Sequence, residues 1–102
     1  DLAKGHLKAI EYANNMNGSV AINLGTGTGY SVLEMVDAYK NMNNVDVPYK
    51  IAPRRDGDIA ECYADPKKAR EVLGWVAERD LKKMCEDSAR WQRMNPDGYP
   101  ND

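Results

Sequence analysis

Apolar residues recur at helical spacing in the first stretch of the chain. Leu2, Ala9, Ile10 and Ala13, together with His6, share one side, and Lys4, Lys8 and Glu11 take the other. This pattern predicts an amphipathic helix over residues 2–16. Asp1 suits the N-cap position ahead of it, and a cap standing first leads us to expect that the natural chain begins upstream. His6, on the apolar side, is expected to be a packed, hydrogen-bonded residue rather than a ligand or a base. The polar run Asn14-Asn15-Met16-Asn17-Gly18 ends the helix, with Gly18 as a left-handed cap.

The pattern then changes. Residues 19–24 form a short apolar run without clean alternation, as expected of a strand buried on both faces. Gly25-Thr26-Gly27-Thr28-Gly29-Tyr30 follows. Ser31 and Glu34 then have the spacing of a capping box, which opens a helix over about 31–43. Val32, Met35, Val36, Tyr39 and Met42 give that helix one apolar stripe. Residues 47–52 read as the next strand, entered through Pro48. Strand, helix and strand make a right-handed βαβ unit, which places the chain in the α/β class. A second extended piece covers 61–64. Asp65-Pro66 is a strong helix start. That helix buries Ala69, Val72 and Leu73 and stops at Gly74, with Trp75 in the core behind it. Asp80 caps a last helix to about Met94, with Leu81, Met84, Ser88 and Trp91 inward and Lys82, Lys83, Glu86, Asp87 and Arg90 in solvent. The tail from Asn95 to Pro100 is turn-rich.

Length and charge narrow the classes of function. The chain has 102 residues, which is one domain at most. Its net charge of -2 offers nucleic acid no general basic field. No apolar run approaches the roughly 20 residues of a membrane span. Cys62 and Cys85 lack a metal-ligand pattern; one disulfide is conceivable, but reduced thiols are expected. With His6 as the single histidine, a His-centred metal site or a Ser-His-Asp triad has little material.

Two loops carry candidate chemistry. Gly25-x-Gly27-x-Gly29, between a strand and a helix, invites comparison with the dinucleotide fingerprint. That fingerprint needs G-x-G-x-x-G and an acidic residue ending the next strand, and neither is present. Its glycines either let the loop approach a neighbouring ligand or domain, or simply make a tight connector. The second loop, Pro53-Arg54-Arg55-Asp56-Gly57-Asp58, packs two guanidinium groups and two carboxylates around a glycine. Arg can grip phosphate with two parallel hydrogen bonds. We read Arg55 as a diphosphate fork and Asp58 as the partner of a hydroxyl-bearing group beside it. The bland alternative is a solvated loop of self-neutralising ion pairs. In open α/β sheets ligands sit beyond the carboxyl ends of the strands, which would put both loops on one edge.

The motifs also have a joint order: Asp1-Leu2-Ala3-x-Gly5-His6, Asn23-Leu24-Gly25-Thr26-Gly27-x-Gly29-x-Ser31-Val32, Ala52-Pro53-Arg54-Arg55-x-Gly57-Asp58, Ala64-Asp65-Pro66-x-Lys68-Ala69, Leu73-Gly74-Trp75, Trp91-Gln92 and Asn95-Pro96-x-Gly98-Tyr99. In that order and spacing the chain resembles, from end to end, the C-terminal segment of the UDP-glucose 4-epimerases, in the extended short-chain dehydrogenase/reductase superfamily.

The resemblance implies that residues 1–102 are the C-terminal UDP-sugar-binding part of a Rossmann-type enzyme. An N-terminal domain that holds NAD would lie outside the chain. It implies a cytoplasmic homodimer acting on a UDP-sugar, with no nucleic-acid or membrane partner. In the family a Tyr-x-x-x-Lys pair moves the proton at the sugar O4 while the C4 hydride goes to NAD and returns. Those catalytic residues are not in this sequence, so the chain by itself is expected to be inactive. Carried over position by position, Arg55 falls on the UDP diphosphate, Asp58 on the uridine ribose and Val32 beside the uracil. Cys62 stands where some epimerases have a tyrosine that crowds the sugar C2 substituent, so it implies room for N-acetylated UDP-sugars. The plainer expectation for Cys62 is a small buried residue filling space. A related nucleotide-sugar epimerase or decarboxylase, or a non-catalytic nucleotide-binding module, remains the alternative.

Overall fold

A computed structural model describes residues 1–99. Pro100, the last residue of the expected turn-rich tail, lies outside them. The chain forms two compact units, each built from two separated segments. Residues 1–30 and 61–78 make the first, and residues 31–60 together with the chain from 79 onward make the second.

In the first unit, helix α1 spans Leu2–Ala13. It ends three residues earlier than the pattern predicts, at Ala13, with Asn14 as its C-cap. Gly18 keeps its positive φ of 90° but sits beyond the helix rather than capping it. Asp1 occupies the N-cap position without a side-chain cap. Its Oδ2 instead accepts from the Glu78 amide at 3.0 Å, and its carbonyl accepts from Trp75 Nε1 at 3.2 Å. These bonds tie the start of α1 to the segment after Gly74.

The inward face of α1 is rotated from the expected one. Gly5 is buried, and Ala9 and Tyr12 pack against the core of Ala69, Leu73 and Trp75, together with Ile22, Leu24, Val72 and Ala77. Leu2, Leu7 and Ile10 stand about 60% exposed. His6 is exposed as well, its Nδ1 lying 2.9 Å from the Leu2 carbonyl, so it is not the packed residue the pattern implied. The physical reason is bulk. A side-chain carbon at Gly5 would lie 2.6 Å from Leu24 Cδ1 and 3.3 Å from Trp75 Nε1. The small face of the helix is the one that can approach the indole, and the large apolar residues are left outside.

The Asp65-Pro66 start behaves as expected. Asp65 Oδ1 accepts from the Lys67 amide at 2.9 Å. The helix that follows widens into a π-helical turn, Ala69–Leu73, and closes at Gly74 with φ 60°. The Gly74 amide reaches both the Ala69 and Arg70 carbonyls. This wider spacing, in which an amide reaches back five residues, places Ala69 and Leu73 against Trp75, which is 4% exposed. Lys68 Nζ donates to the Ala21 carbonyl at 2.8 Å and pins the 19–24 run alongside.

In the second unit, α2 (Val32–Asn43) begins with the expected capping box. Glu34 Oε2 accepts from the Ser31 amide at 2.7 Å and the Glu34 amide donates to Ser31 Oγ at 3.3 Å. The bond from the Ser31 backbone, then that from its hydroxyl, holds the Glu34 carboxyl below its usual pKa. Helix α3 spans Leu81–Met94, capped by Asp80, whose Oδ1 accepts from the Lys83 amide at 2.9 Å. The two helices pack together, and Asn43 Nδ2 donates to the Cys85 carbonyl at 3.2 Å.

The buried line of α3 is Leu81, Cys85 and Ala89, not Leu81, Met84, Ser88 and Trp91. Small side chains at 85 and 89 let α2 come close, because helix separation follows the size of the contact residues. Met84 and Trp91 stay 43% exposed. Lys83 bonds Glu86 at 2.9 Å and Asp87 at 3.2 Å, and these partners raise the pKa of its ammonium. Trp91 makes an edge contact with Tyr99 at 6.0 Å.

The βαβ unit is not formed. No sheet ladder joins any of the described residues, so 19–24, 47–52 and 61–64 run without the strand pairing expected of them. An apolar run becomes a strand only when a partner takes its amides and carbonyls, and none of these three segments supplies that partner to another.

Candidate functional site

The loop after residue 52 turns tightly at Arg55–Asp58. The Asp58 amide donates to the Arg55 carbonyl at 3.1 Å. Gly57 has φ 86° while Asp56 does not adopt positive φ, which is the signature of a type II turn with glycine where a side chain would be strained. Closing the turn brings the Asp58 carboxylate back over Arg55. Oδ2 accepts from the Arg55 amide at 2.9 Å and from Nε at 3.3 Å, and Oδ1 accepts from Nη2 at 3.1 Å. The guanidinium, then the backbone amide, hold the Asp58 carboxyl below its usual pKa.

The sequence predicts two groups that each face a ligand. The structure pairs them with each other, as the alternative of a solvated loop of self-neutralising ion pairs expects. The Arg55 side chain is nevertheless 87% exposed, against 34% for Asp58. Val32 is in the same unit, at the first position of α2 and 76% exposed. Met35 and Met42 of its stripe are exposed too, at 50% and 39%.

Cys62 belongs to the first unit and is exposed, not buried. The 61–66 segment packs on the glycine turn through its neighbours. A side-chain carbon at Gly25 would meet Ala64 Cβ at 3.0 Å. One at Gly27 would meet Pro66 at 3.2 Å, and one at Gly29 would meet Tyr63 Cδ1 at 2.7 Å and Glu61 Oε2 at 2.9 Å. The glycines are therefore required by their own chain. This is the close-approach reading with a polypeptide as the neighbour, and it leaves no dinucleotide cradle in the turn. Because no ladder forms, the sheet edge expected to carry both loops is also not present among the described residues.

Cys85 is buried, which pushes its thiol pKa up, and no disulfide joins it to Cys62. Among the described residues no group of three or more His, Cys, Asp and Glu side chains could hold a metal ion. No helix among the described residues is long and apolar enough to cross a membrane.

The sequence model of the GDP-mannose 4,6 dehydratase family matches residues 2–88, and the chain belongs to that family. Within it, the chain is similar to UDP-glucose 4-epimerases. It is 59% identical to that of Bacillus subtilis and 52% identical to that of Homo sapiens, each over 97% of this chain. The solved UDP-glucose-4-epimerase of Stenotrophomonas maltophila, with bound NAD and formylated UDP-arabinopyranose, superposes with a TM-score of 0.85 at 44% identity over 93% of this chain. The chain spans 29% of the Bacillus relative, 28% of the human one and 28% of the solved structure.

Proposed function

We propose that the protein to which these 102 residues belong is an NAD-dependent UDP-hexose 4-epimerase that interconverts UDP-glucose and UDP-galactose. In this reading the chain supplies part of the UDP-sugar site and not the catalytic groups. The observation that carries the reading is the 59% identity to a UDP-glucose 4-epimerase along 97% of the chain. Arg55 binds the diphosphate, Asp58 the ribose, Val32 borders the uracil and Cys62 lies near the sugar C2 substituent. NAD supplies the hydride acceptor. The glycine turn present here does not fit it, so its site falls to the portion of the relatives that this chain does not span. Residues 19–24, 47–52 and 61–64 become sheet strands where that portion offers them partners, which gives the α/β architecture.

The test uses the full-length enzyme. Arg55→Ala is expected to weaken UDP-glucose binding by about 1.5–3 kcal/mol, as for a lost charged hydrogen bond; an unchanged dissociation constant removes the diphosphate role. Cys62→Tyr is expected to reduce turnover of UDP-GlcNAc more than that of UDP-glucose, and equal loss on both removes the pocket-size role. The family also contains a dehydratase acting on a GDP-sugar by name. A sister nucleotide-sugar enzyme is thus the second reading, favoured if the full-length protein turns over a GDP-sugar and not UDP-glucose. The leading reading carries a cytoplasmic homodimer, which sedimentation and cell fractionation would test.

A further inference from the structure

We infer that Asp58 is a positioning residue for Arg55: its carboxylate holds one edge of the guanidinium so that the opposite edge is presented, already oriented, to a diphosphate. The inference rests on the reading of Arg55 as the anion fork and adds to it. A guanidinium has five N–H donors arranged as two forks, one from Nε and Nη2 and one from Nη1 and Nη2. Asp58 takes the first of these, with Nε at 3.3 Å from Oδ2 and Nη2 at 3.1 Å from Oδ1. The second fork, at the tip, is the one left for an anion, on a side chain 87% exposed.

Two more bonds fix the base from which the arginine springs. The Arg55 amide donates to Oδ2 at 2.9 Å, and the Asp58 amide donates to the Arg55 carbonyl at 3.1 Å. The backbone pair fixes the turn, and the two side-chain bonds at Nε and Nη2 restrict the arginine's rotamers, which lowers the entropic cost of ordering a long side chain on binding. A carboxylate has about four lone-pair sites. Three are used here, and the one left on Oδ1 is enough to accept a ribose hydroxyl as well.

Simple charge counting gives the opposite expectation. Removing a carboxylate from beside an anion site should tighten anion binding. Positioning predicts that it weakens binding, and inorganic pyrophosphate, which has no ribose, separates the two. The experiment follows the Arg55 Nε–Hε NMR signal of the full-length protein while pyrophosphate, uridine and UDP are titrated in turn, in wild type and in Asp58→Asn. The substituted amide keeps an oxygen for the Arg55 backbone N–H, and retained exchange protection of the backbone amide at position 58, which bonds the Arg55 carbonyl, reports that the turn survives. In wild type, Arg55 Nε–Hε is expected to be ordered before ligand is added and to shift with pyrophosphate. In Asp58→Asn, where an amide nitrogen replaces the oxygen that accepts from Nη2, the guanidinium is expected to be less ordered, with pyrophosphate affinity at least threefold lower. Arg55→Lys keeps the charge but not the forks and is expected to lose the response too. Equal or tighter pyrophosphate binding in Asp58→Asn overturns positioning while leaving the Arg55 fork standing. No response of wild-type Arg55 to pyrophosphate or UDP overturns the fork itself, and the inference with it. A loss confined to uridine and UDP overturns positioning by assigning Asp58 to the ribose alone.

Discussion

Trp75 gives the sharpest test of how this chain holds itself together. It is 4% exposed, packs with Ala69 and Leu73, and donates from Nε1 to the Asp1 carbonyl at 3.2 Å. An indole buries about 150–250 Å², which at about 25 cal/mol/Å² is roughly 4–6 kcal/mol of transfer free energy. Buried Trp→Ala changes typically cost about 3–5 kcal/mol. A small domain has only about 5–15 kcal/mol in total. Trp75→Ala should therefore bring the first unit close to unfolding. With a urea slope of about 1–2 kcal/mol per molar, its midpoint should fall by roughly 1.5–5 M. Ile10→Ala is the control. The sequence pattern places Ile10 in the core, where truncation would cost about 2–5 kcal/mol. The structure leaves it 59% exposed, where the cost should stay within about 0.5 kcal/mol. Urea titrations of the 102-residue chain followed by far-UV circular dichroism would measure both. If Ile10→Ala loses as much stability as Trp75→Ala, the assignment of the inner face of α1 is wrong.

Three further outcomes follow from the same contacts. Asp80→Ala removes the cap of α3 and should cost about 1 kcal/mol, read as an earlier loss of Trp91 fluorescence in urea; no change would mean that the Lys83 amide bond at 2.9 Å contributes nothing. The Asp58 carboxyl is depressed by Arg55. Its contribution is thus complete above the unfolded-state pKa and is lost as pH falls through the lower folded value; a carboxyl NMR titration with a midpoint at or above the ordinary aspartate range would contradict the pair. Exposed Cys62 should react promptly with a disulfide reagent, while Cys85, buried and with its thiol pKa raised, should wait for unfolding; two prompt thiols would contradict the α3 packing.

The sequence by itself determined what depends on neighbours along the chain. The Ser31–Glu34 box, the Asp65 and Asp80 caps and the Gly74 stop all appear where the residues predict them. Each is a bond between groups two to five residues apart, so its residues alone specify it. The Arg55–Gly57–Asp58 turn is of the same kind, and its internal ion pair is the one that the self-neutralising alternative expects. Only the tertiary structure decided which helix faces turn inward. Apolar count favours Leu2, Ile10, Met84 and Trp91, yet the structure buries Gly5, Cys85 and Ala89. Close packing is limited by the bulk of the partner surface, here Leu24 and Trp75 in the first unit and α2 in the second, and that bulk cannot be read from one helix in isolation. Strand formation was decided at the same level: residues 19–24 and 47–52 have the composition of strands, but hydrogen-bonding partners make a ladder, and composition does not provide them.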